Sequence, residues 1–516
     1  MSARPNQASQ ASAGRHVAYR SKDEHHLQAE VDYVVVGSGA GGATAAVTLA
    51  RGGASVALVE AGAWRDPEHY PHSVYGGMRD LMDDWGAQVT MGRALWPVVQ
   101  ARAMGGTTVV NSAICVPTPG DIFAQWEREH GVTGLEAPVR AHQARIEREL
   151  SVEEVPAAAL GRSNRLAIAG AEALAFKESH VMRRYVAGCV GSGQCLQGCR
   201  SLKKQSTNLN YVPETLARGG LVLSSAPVSH VVFEGRRAVG VSGRFVHPRT
   251  RREGTRFDVR ARKGVVVAAS VTHSPVLLMR SGVRLPALGA HFRAHPGTGV
   301  FGCYDEPVDM NLGATQGWAS TGFREEPGLK LETLAIPLEL VASRLAGGGA
   351  ELMRRLSEYR HIAMWCHAVR AESVGKITAS LLGNPVVHYT LNGADMERFR
   401  QGMWLVAKQH VAAGAKAVLP GISGMPYKLA ADQIDTLKDA PLDPRKYVAI
   451  LSHLFGGCVM GTDPKRSVVD ALGRVHGHEG LVVADASVIP TNLGVNPQHT
   501  IMGLAATFAE ALLQQG

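Results

Sequence analysis

The stretch that most constrains the fold is residues 31–62, VDYVVVGSGAGGATAAVTLARGGASVALVEAG. It starts with a β-branched run typical of a buried parallel strand, continues as an apolar helix and ends in a second apolar strand before Glu60. Between the first strand and the helix, Gly37, Gly39 and Gly42 form the pattern G-x-G-x-x-G. These glycines permit a tight turn, close approach to a pyrophosphate and close helix–strand packing. The segment therefore predicts a dinucleotide site, with Glu60 accepting hydrogen bonds from ribose, and leaves FAD and NAD open.

The size and composition of the chain are those of a large enzyme. Its 516 residues exceed what one hydrophobic core usually serves, so we expect two packed domains. The net charge is +9, but the basic residues are scattered. Their densest run, residues 247–264, alternates arginine with other residues around a Glu-Gly turn and predicts a solvated β-hairpin. We therefore predict no nucleic-acid partner.

The N-terminal residues 1–28 are polar and contain no apolar core of a signal peptide. We interpret them as a flexible leader and expect a cytoplasmic protein, in which structural disulfides are rare. No window of the chain reaches the length of uninterrupted apolar sequence that a transmembrane helix needs, so no transmembrane segment is predicted.

Two further segments carry recognisable motifs. Residues 101–114, ARAMGGTTVVNSAI, form a glycine-led loop, and residues 452–512 contain H-x-x-G-G-C-V and G-V-N-P. Together with residues 31–62, they resemble the glucose–methanol–choline (GMC) flavin oxidoreductases, and the closing segment is similar to the cholesterol oxidase branch. The resemblance implies FAD as the cofactor and an α/β fold. In that fold a Rossmann-like FAD-binding domain is joined to a discontinuous α+β substrate domain built on an antiparallel sheet.

The resemblance also implies domain boundaries. The FAD-binding domain is expected to comprise residues 29–140, 205–300 and 447–516. The substrate-binding domain is expected to comprise residues 141–204 and 301–446, including a cysteine-rich segment at 189–199. In its second part, residues 361–390 predict three successive strands, and residues 394–415 predict a long amphipathic helix.

The family's functional positions carry over by motif. His453 corresponds to the active-site histidine, Asn496 to its asparagine partner, and His499 to a second histidine found in some members. The implied cofactor contacts are Gly106 and Asn111 at the isoalloxazine, Val228 at the adenine and Asp485 at the ribityl chain, beside Gly37, Gly39, Gly42 and Glu60. Members with covalent FAD carry a histidine just before the asparagine of the glycine loop. Here that position is Val110, so we expect a non-covalent flavin.

The chemistry of alcohol oxidation agrees with these roles. The reaction removes a hydroxyl proton and a hydride from the same carbon. A histidine suits the proton because its unperturbed pKa of about 6.5 allows either form near neutrality. The hydride passes to flavin N5, since the redox chemistry belongs to the cofactor. The amide of Asn496 can hold the oxygen as the carbonyl develops.

Three of the seven cysteines, Cys189, Cys195 and Cys199, lie in the spacing C-x5-C-x3-C. The spacing resembles the [3Fe–4S] site of bacterial FAD glucose dehydrogenase catalytic subunits, except that Arg200 stands where those subunits have a proline. Thiolates are the usual ligands of such clusters, whereas zinc would need a fourth ligand that the stretch does not offer. Inert buried thiols and a disulfide stay open as alternatives.

These observations support more than one function. The first is an FAD-dependent alcohol oxidoreductase with His453 as base. Residues 198–223 and 291–304 resemble long-chain alcohol oxidases, which favours a bulky, hydrophobic or ring-bearing alcohol. The alternative is a sugar or polyol dehydrogenase that passes electrons through the cysteine cluster to a cytochrome or small subunit. A third is a lyase that uses flavin only structurally. The electron acceptor is either O2 or a redox partner protein.

Overall fold

The computed structural model describes residues 14–515. The α-helices of this range are α1 (Ala40–Arg51), α2 (Val74–Leu81), α3 (Gly120–His130), α4 (Glu136–Glu149), α5 (Gly161–Ala173), α6 (Tyr211–Ala217), α7 (His273–Arg280), α8 (Leu338–Ala342), α9 (Gly349–Ser357), α10 (Gly393–Ala412) and α11 (Gln498–Leu513). The strands are β1 (Arg15–Val17), β2 (Leu27–Val36), β3 (Val56–Val59), β4 (Thr90–Met91), β5 (Val152–Glu154), β6 (Ser179–Val181), β7 (Arg183–Tyr185), β8 (Leu221–Leu223), β9 (Val228–Glu234), β10 (Arg237–Val246), β11 (Glu253–Val267), β12 (Arg293–Ala294), β13 (Gly297–Cys303), β14 (Trp318–Ser320), β15 (Leu329–Thr333), β16 (Ile362–Val369), β17 (Lys376–Ala379), β18 (Pro385–His388), β19 (Ala417–Leu419), β20 (Leu429–Ala430), β21 (Leu454–Phe455) and β22 (Leu481–Val483).

The first sheet is the Rossmann-like sheet predicted from residues 31–62. Its order is β1-β8-β3-β2-β11-β10-β9, and β22 also pairs with β11. The strands from β1 to β11 along this order, together with β22, pair in parallel. Strands β3 and β22 and the valine-rich ends of β2 and β11 are buried, whereas the edge strand β1 is mostly exposed. Helix α1 connects the parallel neighbours β2 and β3. The α/β class and the βαβ unit at the N-terminus are therefore confirmed.

The second sheet is antiparallel, and all of its strands except β6 come from residues 297–430. Its seven strands have the order β20-β19-β13-β16-β15-β14-β6. Helix α10 packs against β16 and β13, and Phe399 and Met403 of this helix are buried. The strand and helix predictions over 361–390 and 394–415 are confirmed as elements. Only β16 joins the large sheet, because β17 and β18 pair with β4 in a separate three-stranded sheet.

Two local results concern the remaining predictions. The hairpin predicted within residues 247–264 is displaced along the chain, because residues 253–264 all belong to the one strand β11, which pairs antiparallel with β10, and the turn lies at residues 247–252 instead of at the Glu-Gly pair. The prediction of a flexible leader over residues 1–28 is wrong for its later part. Arg15–Val17 pairs in parallel with Leu221–Leu223 at the edge of the first sheet, and β2 already begins at Leu27. The earlier part of the leader, residues 1–13, lies outside the described residues. Within residues 14–515, no helix combines the length and apolar character that crossing a membrane requires.

Candidate active site

Two glycine-rich loops meet at the N-terminus of α1. A Cβ placed on Gly42 would lie 1.9 Å from the carbonyl oxygen of Gly37, so the helix packs directly on the turn that precedes it. A Cβ on Gly106 would lie 2.8 Å from the Cα of Gly39, so the second loop touches the first through backbone alone. No side chain of the described residues caps α1, which leaves its first-turn N–H groups for an anion. This cradle fits a dinucleotide pyrophosphate.

Glu60 lies at the end of β3 beside this cradle and is buried. Its carboxylate accepts hydrogen bonds from the Ser38 backbone N at 2.9 Å, the Ser38 Oγ at 2.6 Å and the Gly62 N at 2.7 Å. Ser38 Oγ also accepts from Gly105 N at 2.8 Å, which ties the second glycine loop to the first. The backbone oxygen of Glu60 accepts from Ala226 N at 2.8 Å, so the segment leading to Val228 runs past the same cradle.

Asp485 is buried at the N-terminus of a short 3-10 helix, Ala486–Val488. It accepts from Ser274 Oγ at 2.5 Å, Ser270 N at 2.9 Å and Ser487 N at 2.8 Å. Burial raises the pKa of this carboxyl. The loop that carries Asp485 lies against α1, because a Cβ on Gly41 would be 1.9 Å from the Ala484 carbonyl oxygen. Asp485 is therefore held on a loop that touches the first turn of α1.

A two-stranded ladder brings two histidines together. In this ladder β12 pairs antiparallel with β21, and His295 and His453 are the next residues along it. The His295 N donates to the His453 O at 2.9 Å, and the two Nδ1 atoms are 3.1 Å apart. The rings stack at 29° with centroids 5.3 Å apart. Desolvation lowers the pKa of half-buried His453 to about 4, with a further lowering by Lys330 that Glu332 opposes.

Asn496 completes the candidate catalytic group. Its Nδ2 lies 3.1 Å from His453 Nε2, and its Oδ1 accepts from Lys330 Nζ. Two residues further on, Gln498 Oε1 accepts from Asn111 Nδ2 at 2.6 Å. The short segment 496–498 therefore joins the candidate base to the asparagine of the glycine loop. This connection places His453, Asn496 and Asn111 in one neighbourhood, as the motifs predict.

His499 is not part of this group. It is fully buried at the start of α11, where its Nδ1 bonds to Tyr185 Oη at 2.7 Å and its Nε2 to Glu147 Oε1 at 3.2 Å. The hydrogen bond from His499 lowers the pKa of Glu147 to about 2, and Arg183 adds to this effect. Both ring nitrogens are thus engaged in a contact between α11, α4 and β7, so this arrangement gives His499 a structural position.

The three clustered cysteines line one pocket together with Arg184, Lys204 and Thr315. Arg184 Nη2 lies 3.1 Å from Cys195 Sγ, and its Nη1 lies 3.9 Å from Cys189 Sγ. Burial raises the pKa of Cys195, but Arg184 and Lys204 outweigh it and lower the pKa to about 7.

The thiols of this pocket are unpaired but not tightly clustered. Within residues 14–515 all cysteines are free. The sulfur atoms of Cys189, Cys195 and Cys199 do not all come within 4.8 Å of one another. The three sulfur atoms are therefore too far apart to bind one metal ion together. A cluster of several iron atoms spaces its thiolate ligands more widely.

The site contains residues that the motifs did not indicate. His295 lies in residues 291–304, whose sequence indicated only a resemblance to long-chain alcohol oxidases. Its position beside His453 becomes visible only through the β12–β21 pairing. Lys330 and Glu332 are buried on β15. In the sequence LKLET these two charged residues alternate with apolar ones, so both face one side of the strand.

Met364, Trp365 and Met403 are buried core residues, and the Trp365 ring stacks on the His410 ring with centroids 3.7 Å apart.

Fold and site together define a dinucleotide-dependent enzyme with a histidine–asparagine pair. The chain belongs to the GMC oxidoreductases, whose N-terminal and C-terminal family models match residues 31–297 and 371–505. It is 36% identical over 487 residues to an uncharacterised GMC-type oxidoreductase of Mycobacterium tuberculosis, covering 93% of this chain and 75% of the relative. It is 27% identical over 521 residues to a long-chain-alcohol oxidase of Arabidopsis thaliana, covering 94% and 67%.

Solved structures show the same fold. Pyridoxine 4-oxidase from Mesorbium loti superposes with a TM-score of 0.69 at 18% identity, over 93% of this chain and 98% of the other. A formate oxidase from Aspergillus oryzae, studied for modification of its FAD, superposes with a TM-score of 0.73 at 15% identity, over 94% and 98%. These likenesses confirm a Rossmann-like domain combined with a substrate domain on an antiparallel sheet.

Proposed function

We propose that this protein is an FAD-dependent oxidoreductase that converts a bulky, apolar alcohol to its carbonyl compound, with His453 as the base. The observation that carries the proposal is the segment 496–498. It contacts His453 through Asn496 and Asn111 of the glycine loop through Gln498, which supports a position of the candidate base beside the predicted flavin. FAD is expected to be non-covalent, because position 110 carries a valine, which has no nucleophilic atom. This valine is buried among apolar side chains such as Tyr70 and Leu81.

The chemistry follows from the groups present. When bound, FAD supplies the acceptor for the hydride. The lowered pKa keeps His453 neutral near pH 7, so its imidazole is free to take the hydroxyl proton. Asn496 Nδ2 lies within hydrogen-bond distance of His453 Nε2 and is placed to hold the substrate oxygen. A carbonyl forms when the hydroxyl proton leaves to the histidine and a hydride leaves from the carbon that bears the hydroxyl.

The apolar substrate and the acceptor rest on similarity. The Arabidopsis relatives named as long-chain-alcohol oxidases align with more than nine-tenths of this chain. The solved neighbours are named as oxidases as well. These relatives support a long-chain or ring-bearing alcohol over a sugar, and O2 over a partner protein.

The proposal is tested with purified protein and a panel of alcohols. Long-chain primary alcohols, a sterol, glucose and sorbitol are each mixed with the enzyme without air, and bleaching of the flavin absorbance is followed. Peroxide is then measured in air. We expect bleaching by the apolar alcohols and formation of peroxide. Failure of every alcohol to bleach a fully loaded flavin would overturn the proposal and favour a lyase with structural flavin.

The cysteine pocket favours a second candidate, a sugar or polyol dehydrogenase with a [3Fe–4S] cluster at Cys189, Cys195 and Cys199. Its support is that these three thiols line one pocket with two cationic side chains. Assays of iron and sulfide on protein purified without air test it. About three irons per chain, lost in Cys195→Ser, would establish the cluster. Protein with full flavin and no iron would return the cysteines to packing.

A further inference from the structure

A buried ion pair lies behind the histidine–asparagine pair and is not used by the proposed function. The side chains of Lys330 and Glu332 are 1% and 8% exposed, and Lys330 Nζ lies 2.7 Å from Glu332 Oε2. The same Nζ donates to Asn496 Oδ1. Burying a lysine is costly unless its hydrogen bonds are satisfied, so this placement calls for a reason.

The ion pair fixes which way the Asn496 amide faces. An ammonium has donors and no acceptor, so Lys330 must face the amide oxygen and not the amide nitrogen. The Asn496 Nδ2–H group is then turned toward His453 Nε2, 3.1 Å away.

The orientation of the amide also determines which nitrogens of the two imidazoles donate and which accept. Because Nδ2 is a donor, His453 Nε2 must be the acceptor, and the proton of the neutral ring lies on Nδ1. That Nδ1–H donates to Nδ1 of His295, 3.1 Å away. The donor–acceptor order is therefore set from Lys330 through Asn496 and His453 to His295. This order follows from the fact that the Lys330 ammonium can only donate hydrogen bonds, so it can be assigned without observing any hydrogen atom.

We propose that Lys330, held by Glu332, is a positioning residue that sets the polarity of the Asn496–His453 pair. This inference rests on the proposed function, in which His453 is the base. A substrate hydroxyl that displaces the direct hydrogen bond between Asn496 and His453 would accept from Asn496 Nδ2–H and donate its proton to His453 Nε2. With the amide reversed, Asn496 would offer an acceptor and His453 a donor. Such a site would hand a proton to the substrate instead of removing one.

The first test reads the tautomer and needs no turnover. Protein labelled with ¹⁵N-histidine, with and without FAD, is examined by long-range ¹H–¹⁵N NMR, and the His453 signals are assigned by their loss in His453→Gln. We expect the neutral ring to carry its proton on Nδ1, with Nε2 unprotonated. A wild-type His453 protonated on Nε2 while neutral would overturn the inference. This measurement decides even if a lysine variant fails to fold.

The second test uses variants with a matched control. Lys330→Met removes the donor, and Asn496→Asp keeps an oxygen for Lys330 but removes the N–H toward His453. We expect both to slow flavin reduction by about tenfold or more at unchanged FAD content, and Lys330→Met to lose the Nδ1–H preference. Lys330→Arg should recover part of the rate.

Thr333→Val serves as the matched control. Thr333 lies on the same strand and is buried, but its hydroxyl bonds to Asn164 Oδ1 at 2.5 Å, outside the site. We expect its rate and tautomer to match the wild type. A Lys330→Met protein that folds, reduces at the wild-type rate and keeps the tautomer would refute the role of Lys330.

Failure of the two claims can be told apart. If His453→Gln reduces its flavin normally, the proposed base is wrong whatever the tautomer. If His453→Gln is inactive while Lys330→Met is normal, the base stands and only the positioning role of Lys330 is refuted.

Discussion

His295 and His453 stand face to face at the end of a two-stranded ladder, with their Nδ1 atoms 3.1 Å apart. Two stacked imidazoles this close cannot readily both be protonated to imidazolium, because the two positive charges would repel each other. Burial lowers the pKa of His295 well below its ordinary value, and His453 lowers it further. The His295 Nε2 has no hydrogen-bond partner among the described residues. His295 is therefore a neutral support for the ring of His453.

The pH dependence of flavin reduction should show this environment. His453 acts as a base only when it is unprotonated, and desolvation lowers its pKa to about 4. Lowering the pKa of a base moves the acidic limb of the rate profile to lower pH. We expect the rate of flavin reduction to stay level from pH 8 to about 5 and to fall only as the pH approaches 4. A limb near pH 6.5 in rapid-mixing experiments would show that the histidine is not desolvated.

The glycine cradle makes a prediction about cofactor content. In Gly42→Ala the new Cβ would lie 1.9 Å from the Gly37 carbonyl oxygen, so the turn must open. We expect purified Gly42→Ala to contain far less FAD than the wild type, as measured by the ratio of flavin to protein absorbance. Gly393→Ala is the control, because nothing lies within 4 Å of its new Cβ at the start of α10. Full FAD content in Gly42→Ala would refute the placement of the pyrophosphate.

His499 should matter for stability and not for catalysis. His499→Ala leaves the buried Tyr185 hydroxyl without its 2.7 Å partner and removes the bond to Glu147. We expect the free energy of unfolding to fall by about 1–3 kcal/mol, measured by urea titration. The rate of flavin reduction in the folded variant should equal that of the wild type. Loss of that rate at wild-type stability would restore His499 to the catalytic group.

The thiols should differ sharply in reactivity. Arg184 and Lys204 offset burial and lower the pKa of Cys195 to about 7, whereas burial raises the pKa of Cys115 to about 12. In protein without iron, we expect iodoacetamide to modify Cys195 with a half-maximal rate near pH 7 and to leave Cys115 unmodified, as read by peptide mass spectrometry. A bound cluster would protect Cys195 until iron is removed. Modification of Cys195 that begins only above pH 8 would contradict the electrostatic account.

The sequence predicted the parts of the fold that depend on local patterns. The βαβ unit and helix α10 follow from hydrophobic period and turn residues, and the structure contains both of them. The hairpin predicted at residues 247–264 is misplaced, because the Glu-Gly pair taken as its turn begins strand β11. Asn496 and Asn111 lie near one another through Gln498, and Glu60 borders the glycine cradle, whereas their roles toward FAD and substrate stay predictions.

The features that the sequence did not predict depend on packing between distant parts of the chain. The polar segment Arg15–Val17 becomes a strand only because the edge strand β8 offers it a partner. His295 and Lys330 reach the site through cross-strand pairing, and no local pattern in their own segments marks them. His499 follows Asn496 by three residues, yet the start of α11 turns it toward Tyr185. The family resemblance, not a local pattern, suggested a catalytic role for His499, and its contacts with Tyr185 and Glu147 favour a structural role instead.

The central claim is that His453 removes the hydroxyl proton, and single-turnover reduction of the flavin tests it most directly. Wild-type protein and His453→Gln, each loaded with FAD to the same ratio, are mixed without air with a long-chain primary alcohol, and the flavin absorbance is followed. The account predicts a rate about 10²–10⁴ lower in His453→Gln at equal FAD content. A rate equal to that of the wild type would contradict the account.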